Sequence, residues 1–359
     1  MPATDAPGRR DDVAADVDAS HGSGGGASSA IDETSPEPRV TASASPRVSI
    51  VIPTYNSESH LAATISSVLS QTFTDWELVV YDDGSSDATV ELAERCTDGD
   101  PRVRVARGAN GGVAAARNRG FAATQPASEF VIFLDHDDVW EPELLETLVA
   151  LLDAEPQLVS AHSVCSGIDK EGAPYVGDNL AERMRSRRGY RDGSVVALDP
   201  EEPTTFADLA YDNWIVTPGL HLMRRSSFER VGGFDPETVP CDDYDLSVRL
   251  ARLGPIGYCE RALLHWRRHD QTLSGASPHW RRAEQRARTK MLIDAGNSSE
   301  QVDAARRGYR RRAAGTLIFA SGQLRRRQLR SSVRQSAKAA FLAYAYLRAD
   351  LPLRLQRGT

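Results

Sequence analysis

The chain has 359 residues, of which 40% are hydrophobic and 26% charged, a balance that excludes collagen-like, fibrous and wholly unfolded classes. Its net charge of −7 is uneven: residues 281–359 hold 19 Lys/Arg against 5 Asp/Glu, a net +14, which leaves −21 for residues 1–280. An acidic body argues against general nucleic-acid binding, whereas the basic C-terminal region suits either contact with an anionic surface or a solvated helical face.

Residues 1–46 are rich in Gly, Ser, Ala, Pro and Asp and nearly free of large apolar side chains. Such a segment cannot bury enough surface to offset its ordering entropy, and a disordered N-terminal extension is expected there. The first 30 residues lack an apolar core, so no secretory signal is expected, and no run approaches the roughly 18 apolar residues of a membrane span. Cys96, Cys165, Cys241 and Cys259 are far apart with no CxxC pair, which fits a reduced, cytoplasmic protein without a structural zinc site.

The pattern changes at Val48, where VSIVI forms a short β-branched run that ends at Pro53 and reads as a buried strand. A helix follows over 58–70, with Leu61, Ile65, Val68 and Leu69 at helical spacing. A second strand spans Trp76–Tyr81, and a short helix spans 87–95 with Asp87 as N-cap. A strand at Val103–Val105, a helix at Val113–Ala123, a strand at Phe130–Leu134 and a helix at about 141–153 complete the series. This alternation predicts an α/β fold with a mostly parallel sheet flanked by helices, whose ligands sit at the carboxyl ends of the strands.

Beyond residue 158 the alternation weakens. Ser226-Ser227-Phe228-Glu229 has the form of a capping box, with Gly232 and Gly233 ending the helix. A further helix runs over Tyr244–Leu253 to Gly254-Pro255, and the chain reads as helical from about 281 to its end. Near that end Leu329, Val333, Ala337, Ala340, Tyr344 and Leu347 mark one face. The expected organisation is an extension over 1–46, a catalytic domain over 47–280 and a basic helical region over 281–359.

Polar residues that follow the strands carry the chemistry. Asp135-His136-Asp137-Asp138 crowds three carboxylates at a strand end, a cost most easily tolerated around a divalent cation such as Mg²⁺ or Mn²⁺; a solvated acidic turn is the bland alternative. Asp82-Asp83-Gly84 offers a carboxylate to a ribose or base N–H, or is simply a turn before a capped helix. Gly111-Gly112 before an Ala-rich helix permits close backbone approach, with Arg117 able to counter phosphate charge. The segment fits neither GxGxxG nor GxxxxGK[ST], which removes support from dinucleotide-binding dehydrogenases and P-loop enzymes. Asp242-Asp243 precedes a helix, where carboxylates either serve as caps or supply a general base. His269 closes the set as a candidate for metal or phosphate.

Taken in order, VSIVIPTYN (48–56), DDGSSDAT (82–89), GGVAAARNRG (111–120), FLDHDD (133–138), GGFDP (232–236), DDYDLSVRLARLG (242–254) and RRH (267–269) resemble the family 2 inverting glycosyltransferases, which have the GT-A nucleotide-sugar-binding fold. The resemblance implies that Pro53, Tyr55 and Asp83 hold the nucleoside and that Arg117 lies near the nucleotide. It implies that Asp135 and Asp137 form the DxD signature, binding the diphosphate through Mg²⁺ or Mn²⁺, with His269 nearby. Asp243 matches the catalytic base and Asp242 its supporting neighbour, where a Glu is usual. His136 stands where the family usually has a small residue. The implied partners are a nucleoside diphosphate sugar and a glycan or lipid-linked acceptor. Trp214 and the Thr217-Pro218-Gly219 turn are expected to line the acceptor side.

Processive membrane synthases of this family carry transmembrane helices and a QxxRW motif; neither is found in the sequence, which points to single-sugar addition. The expected setting is cell-envelope or exopolysaccharide assembly in the cytoplasm, with peripheral membrane contact through the basic C-terminal helices as one role for them and packing or dimerisation as others. Two rival readings fit the sequence less well. A nucleotidyltransferase of similar fold would carry a Gly-rich N-terminal loop with Arg and Lys, unlike Pro53-Thr54-Tyr55-Asn56. An inactive nucleotide-sugar-binding protein is disfavoured by the presence of Asp135, Asp137 and Asp243.

Overall fold

The computed structural model describes residues 45–269 and 278–325. The expected N-terminal extension lies, except for its last two residues, outside the described residues, as does the apolar face from Leu329 to Leu347. In chain order the first half is β1 (Val48–Thr54), α1 (Leu61–Leu69), β2 (Trp76–Asp82), α2 (Thr89–Thr97), β3 (Val103–Arg107), α3 (Val113–Ala122), β4 (Phe130–Phe133), β5 (Val139–Trp140) and α4 (Leu144–Ala154). The second half is β6 (Ser160–Ile168), α5 (Leu180–Arg185), β7 (Arg188–Arg191), β8 (Ser194–Ala197), α6 (Phe206–Tyr211), β9 (His221–Arg224), α7 (Arg225–Val231), α8 (Asp242–Leu253), β10 (Ile256–Arg267), α9 (Pro278–Ile293) and α10 (Ser299–Arg325).

Eight strands form one mainly parallel sheet in the order β3-β2-β1-β4-β9-β6-β10-β5, and β7 and β8 pair as a separate hairpin. The β-branched run of β1 explains its place at the centre of the parallel half: every residue of it is buried, and successive side chains feed opposite layers. Ile50 and Ile52 pack with Leu61, Ile65 and Leu148 of α1 and α4, whereas Val51 packs in the layer built from α3, α6, α7 and α8. Helix α3 lies close on the sheet because Gly120 has no side chain; a Cβ there would meet Val51 Cγ1 at 2.4 Å.

The site is positioned by register. Thr54 pairs with Asp82, so β1 and β2 end level with one another, while β4 ends at Phe133 opposite Val51 and its following segment runs on beside the end of β1. The amide of Asp83 donates to the carbonyl of Thr54 at 2.8 Å and holds the first two ends together. The antiparallel β9 pairs with only Phe130 and Val131 of β4, so the acidic segment after β4 is free to turn toward the cleft.

Several elements differ from expectation. Helix α2 begins at Thr89 rather than Asp87, although the Asp87 carboxylate does accept from the Thr89 amide at 3.1 Å. The capping box predicted at Ser226 is not formed. Helix α7 starts at Arg225 directly out of β9, with Arg224 at its N-cap and no side-chain cap. Tertiary anchoring wins there, because the buried Arg225 guanidinium donates to Ser128 Oγ (2.9 Å) and Thr124 Oγ1 (2.6 Å). Gly232, at φ 80°, ends the helix as predicted. The C-terminal helical region is broken between α9 and α10, and these helices pack on α8 and α6. Gly308 lets α10 approach so closely that a Cβ would lie 2.0 Å from the Ala210 carbonyl oxygen of α6.

Candidate active site

The loops after β1, β2 and β4 form one wall of a cavity of about 930 Å³, and the first turn of α8 and parts of α9 and α10 form another. Pro53, Tyr55, Asp83, Arg117, Asp135, Asp137, Asp242, Asp243 and His269 all line it, as does His136, so the expected donor-side and catalytic residues reach one cleft.

After β1, Tyr55 stands 51% exposed at the cavity and Asn56 turns the chain at φ 50°. Asn56 also fastens the loop to its neighbour, its amide donating to Ser85 Oγ and its Oδ1 accepting from the Ser86 amide, both at 2.9 Å. Asp83 is buried, and its carboxylate accepts from the amides of Gly111 (2.9 Å) and Gly112 (2.7 Å). The two glycines thus shape the mouth of α3 through Asp83, and Gly112, at φ 84°, is in the left-handed region that glycine tolerates.

Arg117 is the joint of the site. Its buried guanidinium donates to Asp242 Oδ2 at 2.6 Å and to Asp135 Oδ1 at 2.5 Å, linking the end of β4 to the start of α8. Burial alone would lower its pKa, but Asp135 and Asp242 outweigh that and raise it, so the guanidinium stays charged. Asp242 is itself buried, and burial raises its pKa although Arg117 pulls the other way. Next to it Asp243 is half-buried, with Oδ1 accepting from the Tyr244 amide at 2.7 Å. Burial and the neighbouring Asp242 push the Asp243 pKa well above the usual carboxylate range, with Arg117 opposing.

The three carboxylates after β4 take three different environments, which relieves the repulsion noted in the sequence. Asp135 faces Arg117. Asp137 Oδ2 accepts from His269 Nε2 at 2.8 Å. Burial would raise the Asp137 pKa, but the His269 contact and the charge of His136 outweigh it and the group lies below its ordinary value. Asp138 turns into the protein, where Oδ1 accepts from the Arg267 amide at 3.0 Å and burial, then Asp137 and Asp135, raise its pKa well above normal. Asp138 therefore ties β4 to β10 and does not line the cavity. His60 lies against His269 with ring centroids 5.1 Å apart.

On the expected acceptor side, Thr217 and Pro218 line the cavity, but Trp214 does not. The Trp214 indole is buried, stacked on Tyr211, and donates to the Arg188 carbonyl at 3.0 Å. An aromatic side chain can serve packing as readily as a ligand, and here the hairpin edge claims it. The residues missed in the sequence are Trp280, Glu284, Arg288 and Arg312, which α9 and α10 bring to the cavity. Their signal was present as the spacing of 280, 284 and 288, which puts three residues on one helix face. Among the described residues, no group of three or more His, Cys, Asp or Glu side chains converges on a single ion position.

The family model described as glycosyl transferase family 2 matches residues 49–232. A glycosyltransferase from Nostoc sp. is 30% identical over 273 residues, covering 73% of this chain and 77% of that relative. A glycosyltransferase from Rickettsia conorii is 29% identical over 225 residues, covering 62% of this chain and 34% of that longer relative. Among solved structures, S. aureus TarS 1–349 in complex with UDP-GlcNAc shares the fold with TM-score 0.54 and 20% identity, covering 71% of this chain and 69% of that one. The mannosyltransferase PcManGT from Pyrobaculum calidifontis, in complex with GDP-Man and Mn²⁺, gives TM-score 0.51 and 17% identity, covering 86% and 88%. With the family model over half the chain and a relative 30% identical over most of both chains, the chain belongs to glycosyl transferase family 2.

Proposed function

We propose that this chain adds a single sugar, taken from a nucleoside diphosphate donor, to an acceptor hydroxyl by one displacement that inverts the anomeric carbon, in cell-envelope or exopolysaccharide assembly. The observation that carries the reading is that Asp243 on α8 and Asp137 after β4 face one cavity, with Arg117 joining their neighbours Asp242 and Asp135.

In this reading Pro53, Tyr55 and Asp83 hold the nucleoside. The Asp243 carboxylate takes the acceptor proton while that oxygen forms its bond to the anomeric carbon. The bond to the diphosphate breaks on the opposite side, and its electron pair leaves with the nucleoside diphosphate. The raised pKa of Asp243 suits a base, since proton affinity is what the step needs. Arg117 and Asp242 keep Asp243 and Asp135 at fixed relative positions, which is a positioning role.

The residues also fit a divalent cation. Asp137 and His269 bring an oxygen and an imidazole nitrogen together at the cavity wall, with Asp135 lining the same cleft. A set that small suits Mg²⁺ or Mn²⁺, which take most of their remaining ligands from substrate phosphates and water. Bound there, the cation would neutralise charge on the departing diphosphate. The pairing of a nucleotide sugar with Mn²⁺ in the mannosyltransferase of similar fold supports this reading, as does UDP-GlcNAc in TarS.

The test is calorimetry of nucleotide-sugar binding in the presence of Mn²⁺. Asp137→Ala is expected to weaken donor affinity by about tenfold or more, in line with the cost of disturbing a metal site. An affinity equal to wild type would remove the cation from Asp137.

A further inference from the structure

Helix α9 carries Trp280, Glu284 and Arg288 four residues apart, and all three line the cavity. Its other stripe, Ala287 and Met291, is buried in the layer with α6 and α8, so packing fixes which face α9 turns to the cleft. The start of α9 is tied to the proposed base. Cys241, at the N-cap of α8, has its thiol 3.8 Å from the Trp280 carbonyl oxygen, next in sequence to Asp242-Asp243. Asp212 and Asn213 after α6, and Arg312 of α10, line the same part of the cavity wall.

Among the described residues, the charges on this wall pair off. Arg288 Nε lies 3.2 Å from Glu284, Arg312 pairs with the same carboxylate, and Arg312 also lies 3.9 Å from Asp212. Two guanidinium groups thus face two carboxylates. A phosphate-bearing acceptor seated on this wall would have to break those pairs to gain a cation from it. A neutral sugar instead needs an apolar face for its C–H surface and fixed donors and acceptors for its hydroxyls, which an indole beside carboxylate, amide and guanidinium groups supplies.

We propose that this helical wall is the acceptor subsite and that it takes a neutral sugar, its ring laid against Trp280 with one hydroxyl directed at Asp243. The proposal rests on the transferase reading above and adds the acceptor class and a specificity-determining residue.

The experiment uses the full chain. UDP- and GDP-sugars are screened by nucleotide release, first with p-nitrophenyl glycosides of neutral hexoses as acceptors and then with the matching hexose phosphates. Neutral glycosides are expected to be used. Trp280→Leu, which keeps apolar volume and removes the aromatic face, is expected to raise acceptor KM by about tenfold while donor affinity by calorimetry stays within about twofold. Trp280→Phe is expected to recover most of that loss, which a merely structural role for the indole would not require. The proposal is overturned by an acceptor KM in Trp280→Leu equal to wild type, by neutral glycosides going unused, or by preference for the phosphorylated acceptors. A full chain that binds no nucleotide sugar in calorimetry would remove the transferase reading and this subsite with it, so the two failures are separable.

Discussion

Asp243 holds its carboxylate beside Asp242 at the first turn of α8, and burial together with that neighbour raises its pKa well above the ordinary value of about 3.9. Two consequences have opposite signs. As the proposed base, Asp243 must be ionised to act, so kcat/KM should fall as pH drops, with its acidic limb above the usual carboxylate range. As a folding contribution, a raised pKa favours the protonated form. The stability from Asp243 is complete below its unfolded pKa and declines as pH rises through the folded one. Thermal melts should therefore show Asp243→Asn above wild type at neutral pH and the difference shrinking in acid. A melting difference independent of pH would contradict the raised pKa. At this scale the sequence was informative because the chemistry-bearing residues sit in short motifs directly after strands. Arg117 was legible only as a cation near phosphate. Its ion pairs to Asp135 and Asp242 join segments over a hundred residues apart, and no local pattern encodes that.

Among the elements, β1 to β4 and the helices between them were readable because apolar period and strand length agreed. β6 was missed because Ser160, His162 and Ser163 are buried through hydrogen bonds such as His162 Nε2 to Thr204 Oγ1 at 2.8 Å, not through an apolar run. β10 was missed because its pairing with β6 shifts register between Tyr258 and Ala262, and Glu260 and Arg261 interrupt the pattern there. β9 has only four residues, too few for a period. The α3–β1 contact makes a prediction that belongs to this scale. Gly120→Ala drives a methyl into Val51, and overpacking should destabilise the protein by about 1–3 kcal/mol in urea unfolding, with Val51→Ala in the same chain recovering part of it. Full stability in the single variant would mean that α3 does not seat as closely as described.

For the whole molecule, the arrangement that matters is a cleft with strand ends on one side and α8 to α10 on the other. The basic charge of the C-terminal region is partly spent inside this body. Lys290 lies 2.9 Å from the buried Asp245 of α8, and Arg311 donates to the Tyr211 carbonyl at 3.0 Å. Composition registered that charge but could not say that α9 turns Trp280 inward, because which stripe faces the cleft is decided by packing on α6 and α8. No helix among the described residues is long and apolar enough to cross a membrane. The central claim is that Asp243 acts as the base in a cleft whose donor site stands without it. The measurement is donor affinity and transfer rate together in Asp243→Asn. Nucleotide-sugar binding by calorimetry should be retained while transfer falls by roughly 10²-fold or more, the usual worth of a positioned general base. Turnover like that of wild type, with binding intact, would contradict the account.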